Sequence, residues 1–431
     1  MLESCFNPKT FSPSLPKDVQ FILHHLQSHG YEAYIVGGCV RDMILHILES
    51  QSNAKSDVKS QNLPSDYDIA TSALPSEVIR LFPRTIPTGL KHGTISVMYD
   101  NIMYEVSTFR IEGTYSNKRA PDSVSFTLEL KQDLQRRDFT MNALAYSPYT
   151  GLIDKVGGLR DIINRKIMCV GEAHLRFDED ALRILRALRF AATLGFEIES
   201  HTDSALRECA KNLCYISKER IRDELTKLLC GRAAQKIVRE YSDVLCVALG
   251  GMIRLQGLAV ILPQNVESHT LVWALFLAQV CQRQRVEALL ESLRFDNKTR
   301  RHIVEILKAC EIPLRASKDE IARHIIALGG REARREWLSG ERILRDMIRL
   351  KSVIADEQGL KEFKKNVEQV LDSTLPLSLK ELCINGDDLR ALGFVEKDIG
   401  RILQILLEEI VSEKLKHSRE ALLVRARELR G

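Results

Sequence analysis

The spacing of apolar residues in this 431-residue chain changes period near residue 160. Before that point short runs alternate apolar and polar, as in Thr94–Tyr99 and Ile102–Phe109, with turn residues between them. From Glu172 onward apolar residues recur every three or four positions. Period two puts successive side chains on opposite faces of a strand, whereas a period near 3.6 gives a helix one buried stripe. The pattern predicts a small sheet-bearing part followed by an all-helical part, in two to four domains, since one ordinary core does not serve a chain this long.

Composition adds limits rather than direction. The chain is 45% hydrophobic and 28% charged with net charge +4, which fits a globular protein and singles out no partner. Its ten cysteines include no Cys-x-x-Cys pair, so free thiols in a reducing compartment are expected. The chain does not begin with a basic stretch and an apolar run, and the apolar stretch at Leu271–Val280 is too short to span a bilayer. A cytoplasmic protein without membrane association is expected.

Lys17 to Gly30 reads as an amphipathic helix, and Tyr34-Ile-Val as a strand entering Gly37-Gly38-Cys39-Val40-Arg41-Asp42. A strand, two glycines and a helix start let backbone N–H groups approach phosphate oxygens, and Arg41 adds charge; a plain turn has the same look. Ser50–Asn62 is polar and aperiodic, a surface loop. In Ser65-Asp66-Tyr67-Asp68 the two acids share one face if the segment is a strand, which favours a hard divalent cation such as magnesium, or else a solvated loop. The strands 94–99 and 102–109 meet at Asp100-Asn101, a hairpin signal, and Glu105 shares a face with Met103 and Ser107. Asp66, Asp68 and Glu105 together would suit two metal ions, one activating a hydroxyl nucleophile and one holding a triphosphate.

Arg110 to Gln135 begins as a loop. Arg136-Arg137-Asp138-Phe139-Thr140-Met141-Asn142-Ala143-Leu144 then opens a helix, from which Arg137 and Asn142 would reach a triphosphate and a ribose hydroxyl. Phe177 to Phe190 predicts another helix, with Asp178 as its N-cap and Leu182, Leu185 and Leu188 facing a core. Glu179, Asp180, Arg183 and Arg186 would then lie on or near one face. An Asp180/Arg183 pair offers an acceptor beside a donor. Cytosine and adenine present the complementary amino donor and ring-nitrogen acceptor, while uracil and guanine present the reverse. An i,i+4 salt bridge on an exposed helix would leave the same spacing. Residues 235–370 carry basic helical faces (Lys298, Arg300, Arg301, Arg331, Arg334, Arg335, Arg342, Arg345, Arg349), either solvated or tracking an RNA backbone.

As an ordered set these segments resemble the class II tRNA nucleotidyltransferases, the CCA-adding enzymes of the polymerase-beta-like superfamily. The set is Gly37-Gly38-x-Val40-Arg41-Asp42, Asp66-x-Asp68, Tyr104–Arg110, Arg136–Asn142, Asp154…Gly157-Gly158…Asp161 and Glu179-Asp180-x-x-Arg183. The likeness runs from about residue 30 to 230 and returns at Asn385-Gly386-Asp387-Asp388-Leu389 and from Gly393 to Gly400.

The resemblance implies an α+β protein with a polymerase-beta-like head, a small mixed sheet with helices, followed by an all-α neck, body and tail. Boundaries fall at 1–160 for the head, 161–235 for the neck, 236–370 for the body and 371–431 for the tail. It implies catalytic carboxylates at Asp66, Asp68 and Glu105, with the metal, magnesium, on Asp66 and Asp68. Gly37, Gly38 and Arg41 would meet the triphosphate, Arg137 the nucleotide, and Asp138 and Asn142 the sugar. Asp180 and Arg183 would read the base, with Glu179, Arg186 and Arg189 as further contacts along that helix. The implied activity is template-independent addition of C, C and A to the 3′ end of tRNA from CTP and ATP, with body and tail holding the acceptor stem and elbow.

Three departures stand out. Ser50–Asn62 is long. Tyr115-Ser-Asn117-Lys-Arg119-Ala120-Pro121 lacks an acid and a base of the usual Tyr-x-Asp-x-Arg-Arg-Pro. No His-Asp pair follows His269, so an appended phosphohydrolase is not expected. An intact length for the 115–121 loop argues against a CC-only enzyme and leaves an A-only enzyme as an alternative. A poly(A) polymerase is the nearest other reading; against it, Pro87-Thr-Gly-Leu-Lys91-His-Gly-Thr94 has the form found in the tRNA enzymes.

Overall fold

The computed structural model describes residues 8–52, 66–113, 115, 123–255, 257–262, 268–328, 330, 340–354 and 357–430. They form two units, 1–251 and 252–431. In the first, strands β1 (Ala33–Val36), β2 (Asp68–Thr71), β3 (Thr85–Gly89), β4 (Thr94–Tyr99) and β5 (Ile102–Thr108) precede a small hairpin, β6 (Arg110–Glu112) with β7 (Val124–Phe126). β8 (Leu144–Ser147) and β9 (Gly151–Asp154) complete a seven-stranded sheet in the order β3-β4-β5-β2-β1-β8-β9. Only β2 and β5 run parallel within it; the other neighbours are antiparallel. β10 (Lys166–Ile167) and β11 (Glu197–Ile198) pair separately.

The hairpin expected at Asp100-Asn101 is present. Both residues have positive φ (45° and 63°), as a two-residue turn that matches strand twist demands. α1 (Lys17–Ser28) buries Val19, Ile22, Leu23 and Leu26 and ends before Gly30 at φ 88°. α2 (Gly38–Ser52) follows β1 directly, and α3 (Pro75–Leu81) follows β2. Tyr34, Val36, Ala70, Phe109, Ala143 and Ala145 form a core with Leu130 and Leu134 of α4 (Leu130–Gln135). That packing brings the end of α4 to the ends of β1 and β2.

Helices then take over: α5 (Gly158–Ile163), α6 (Ala173–Glu179), α7 (Leu182–Leu194), α8 (Ser200–Cys209), α9 (Lys218–Leu229), α10 (Ala234–Glu240) and α11 (Ser242–Ala248). The change of period near 160 thus marks a real change of architecture. In the second unit α12 (His269–Val280), α13 (Arg283–Ser292), α14 (Asn297–Ala309), α15 (Lys318–Ala327), α16 (Gly340–Ile354) and α17 (Glu357–Leu371) precede α18 (Gly386–Ala391), α19 (Glu396–Val411) and α20 (Arg419–Arg430). The apolar run 271–280 is the interior of α12, with Trp273 fully buried edge-on to Phe276 and Phe295. Leu389, Ile402, Leu406, Leu407, Leu422 and Ala426 close a separate core around α18–α20. No helix among the described residues is long and apolar enough to cross a membrane. The nine described cysteines are free thiols.

Two local expectations are corrected. Residues 136–144 do not open a helix: a single 3-10 turn at Thr140–Asn142 leads straight into β8. Residues 177–190 are not one helix capped by Asp178. α6 ends at Glu179, the chain turns at Asp180 and Ala181, and α7 begins at Leu182. Asp178 instead accepts a hydrogen bond from Asn212 Nδ2 (2.9 Å). The polar segment 53–62, residues 116–121 of the departing loop, and Arg331, Arg334 and Arg335 lie outside the described residues.

Candidate active site

Residues at the ends of β1 and β2 start the site. Val36 pairs with Asp68, so the Gly37-Gly38 turn emerges beside that carboxylate. Gly37 has φ 80°, where a side chain is strained, and a Cβ there would stand 3.2 Å from Arg137 Nη1 and 3.8 Å from Asp68 Oδ2. A glycine is what lets an acid from the sheet and a guanidinium from beyond α4 converge on one backbone turn.

Asp66 precedes β2 rather than lying in it. Ile69 pairs with Val106 in the parallel register, so one residue back Asp68 and Glu105 share a face. Although solvent reaches Asp68, the cleft walls and then the Asp66 carboxylate push its carboxyl above the usual carboxylate range; Glu105 adds to this and Arg137 opposes it. Among the described residues no three His, Cys, Asp or Glu side chains converge as a formed ion cage. The donor set is nevertheless chemically right for a hard cation: all-oxygen and mutually repelling.

Behind the glycine turn lies a buried polar chain. Arg41 donates to Asn142 Oδ1 (2.7 Å), and Asn142 donates to Asp138 Oδ1 (3.2 Å). Arg186 of α7 donates from Nε (2.8 Å) and closes an ion pair from Nη2 (2.6 Å) on Asp138 Oδ2. Burial alone would raise the Asp138 carboxyl, but Arg186 and the Asn142 hydrogen bond hold it down to about 2. Arg41, Arg186 and Arg189 surround the Phe190 ring at 5.0, 5.5 and 4.0 Å from its centroid. Arg189 Nε also lies 2.7 Å from Glu224 Oε2 of α9.

The Asp154…Gly157-Gly158…Asp161 segment supports this chain. Asp154 accepts backbone N–H bonds from Val156, Gly157, Gly158 and Leu159 at the start of α5. Thr140 donates to Asp161 (2.5 Å). A Cβ on Gly158 would overlap the Thr140 carbonyl oxygen. Gly158 is thus the seat of the turn that presents Asn142.

Arg137, Asp138, Asp180, Arg183 and Arg186 line a cleft of about 440 Å³, with His92, Arg110, Glu112, Tyr115, Arg136, Leu182 and Arg220. Arg137 donates to Asp133 (3.2 Å), and its buried Nε finds no partner among the described residues, a donor that a bound anion would satisfy. The spacing suggested an Asp180/Arg183 pair; the two line one cleft, but their side chains bond to other partners and not to each other. Asp180 is held by Arg220 Nη2 (2.8 Å), and Arg183 Nη1 donates to Glu179 (2.6 Å). Arg183 also donates to the carbonyl oxygens of Arg176 (3.2 Å) and Arg136 (3.1 Å). The turn at 180–181 is the reason: it points Asp180 toward α9 and leaves Arg183 facing Glu179.

Several residues of the cleft have no role that the sequence alone suggests. Buried Asp133 receives Arg136 (2.7 and 2.9 Å) as well as Arg137, a pattern hinted at by their i,i+3 and i,i+4 spacing. Glu112 gathers Arg110 (2.8 Å), Arg136 (3.0 Å) and the Tyr115 hydroxyl. Arg220 comes from forty residues away and has no local signal.

A small, mostly antiparallel sheet with a glycine turn beside strand-end carboxylates, joined to helices that close a basic cleft, defines a polymerase-beta-like nucleotidyltransferase head with a helical remainder. Comparison with known proteins agrees. Residues 33–168 match the model described as "Poly A polymerase head domain", and 264–426 match one for tRNA nucleotidyltransferase domain 2. The CCA-adding enzyme of Leuconostoc citreum is 34% identical over 428 residues, covering 96% of this chain and 98% of the relative; that of Bacillus cytotoxicus is 35% identical over 410 residues, covering 93% and 95%. The Bacillus stearothermophilus CCA-adding enzyme in complex with CTP superposes with TM-score 0.73 at 28% identity, covering 96% of this chain and 97% of that one. The chain belongs to the CCA-adding enzyme family.

Proposed function

We propose that this protein adds C, C and A in turn to the 3′ end of tRNA, taking CTP and ATP, with no nucleic-acid template and with amino-acid side chains selecting the base. The observation that carries the reading is the common cleft: an acidic acceptor, Asp180, and a fixed guanidinium, Arg183, line the same wall system as Arg137 and Asp138. Arg137 in turn reaches the Gly37 turn, beside which Asp68 also stands. A base edge and a triphosphate would thus both find complementary groups along this cleft and the glycine turn beside it. Cytosine and adenine can donate an amino hydrogen to Asp180 and accept at a ring nitrogen from Arg183; uracil and guanine offer the wrong polarity to both.

In this reading Arg41 and Arg137 bind the triphosphate, Gly37 and Gly38 let it approach the backbone, and Asn142 with Asp138 meets the ribose. Glu179, Arg186 and Arg189 hold the recognition wall. Asp66 and Asp68, with Glu105 alongside, would hold divalent metal, magnesium being the hard cation expected for an all-oxygen set. When bound, such ions acidify the attacking 3′-hydroxyl and take up charge on the triphosphate and leaving pyrophosphate. The body and tail would grip the acceptor stem and elbow of tRNA through shape and phosphates.

The test is nucleotide addition by the purified protein to tRNA lacking its 3′ end, with magnesium and with CTP and ATP supplied singly and together. The expected products are two C additions from CTP alone and C, C, A from both. Addition of A only to tRNA ending in CC would replace this reading with an A-only enzyme. Long A tracts on arbitrary RNA would replace it with a poly(A) polymerase.

A further inference from the structure

We infer that Arg220 is a positioning residue for base choice: it fixes the Asp180 carboxylate so that one acceptor direction remains for the incoming nucleotide. The inference rests on the reading of Asp180 proposed above. Asp180 stands at the turn between α6 and α7, outside both helices. A carboxylate has about four acceptor directions and turns easily about its terminal bond. Here three are taken. Arg220 Nη2 donates to Oδ2 (2.8 Å), its Nη1 to Oδ1 (3.4 Å), and the Leu182 N–H to Oδ1 (3.1 Å).

That restraint bears on selectivity. The bases to be refused are not without donors: uracil and guanine each carry a ring N–H, which a mobile carboxylate would simply turn to accept. Refusal requires that Asp180 stay opposite the amino position while Arg183 stays opposite the ring nitrogen. Arg183 is fixed by Glu179 and by two carbonyl oxygens, and Arg220 supplies the matching restraint on the acid. The anchor is itself stiff: α9 packs along α7, and one turn beyond Arg220 its Glu224 meets Arg189 of α7. Base-reading acid and flanking arginine are thus held by two residues of a single helix.

The experiment compares first-nucleotide addition from CTP and from UTP, under single turnover with magnesium and tRNA lacking its 3′ end, for wild type, Arg220→Met, Arg220→Lys, Asp180→Asn and the Asp180→Asn/Arg220→Met double variant. Arg220→Met is expected to lower the preference for CTP about tenfold, the scale of one charge-assisted hydrogen bond removed. Arg220→Lys, which keeps the charge without the planar fork, falls between. The double variant should discriminate no worse than Asp180→Asn alone, because both changes act through one carboxylate. Thermal unfolding identifies any variant that fails to fold, and Arg220→Lys then carries the test. Wild-type preference in the Arg220 variants, with loss in Asp180→Asn, would overturn the role of Arg220 and leave base reading by Asp180 standing. Wild-type preference in Asp180→Asn would overturn both.

Discussion

Arg183 on α7 and Arg349 on α16 look alike in the sequence: each has an acid three or four residues before it and sits in an amphipathic helix. In the structure the Arg183 side chain is 10% exposed, whereas that of Arg349 is 71% exposed. Arg183 adds two backbone carbonyls to its acid, while Arg349 reaches Asp346 (3.3 Å) from the solvent side. Burial with several acceptors fixes a guanidinium in direction, which recognition of a base edge needs. Exposure leaves a mobile charge, sufficient for a phosphate backbone but unable to tell one base from another. The same residue type at similar spacing is thus fixed in one place and mobile in the other, and the surroundings decide which.

Substitutions test these two settings separately. Asp68→Ala removes one of the acids proposed to hold the metal, and transfer should fall by roughly a thousandfold or more in single-turnover assays while tRNA retention on filters is unchanged. Arg186→Met removes both donors from Asp138 Oδ2 and leaves a buried carboxylate short of its counter-charge. A loss of about 3 kcal/mol in chemical unfolding is expected, much of it recovered when Asp138→Asn is added.

Acid probes the same pair more gently. The Asp138 carboxyl is held at about 2 in the folded chain and returns to the ordinary range near 4 on unfolding. Because the folded value is the lower one, the stabilisation is present above pH 4 and is lost as pH falls toward 2; roughly 2 kcal/mol is at stake. Unfolding titrations of wild type and Asp138→Asn should therefore converge below pH 4. Smallest of all, Arg345→Ala with Arg349→Ala should weaken tRNA binding only a few-fold. The salt dependence should flatten by about one counterion for each phosphate no longer neutralised, with no change in base preference.

Much of the head was legible because its signals are local. Asp100-Asn101 has one comfortable turn type, and Gly37-Gly38 after a strand has few alternatives. The break between α6 and α7 was not legible, since Leu182, Leu185 and Leu188 keep helical period up to it and Asp178 makes a credible cap. Nor was the short strand β8, whose four residues are too few to show a period. Arg220 and the Glu112 hub were invisible for another reason: their partners lie distant in sequence and meet only once helices and sheet have packed. Sequence reading singled out Arg137, Asp138, Asp180, Arg183 and Arg186, which the structure gathers in one cleft, but who holds whom was not readable.

Gly158 carries a last implication. It touches no part of the cleft directly, yet any side chain there collides with the turn that presents Asn142. Every change in the first two letters of its codon that alters the amino acid meets that collision. Inheritance of the cleft is therefore guarded at a site where a surveyor of nucleotide contacts would never look, and defects arising there would pass for faults of catalysis.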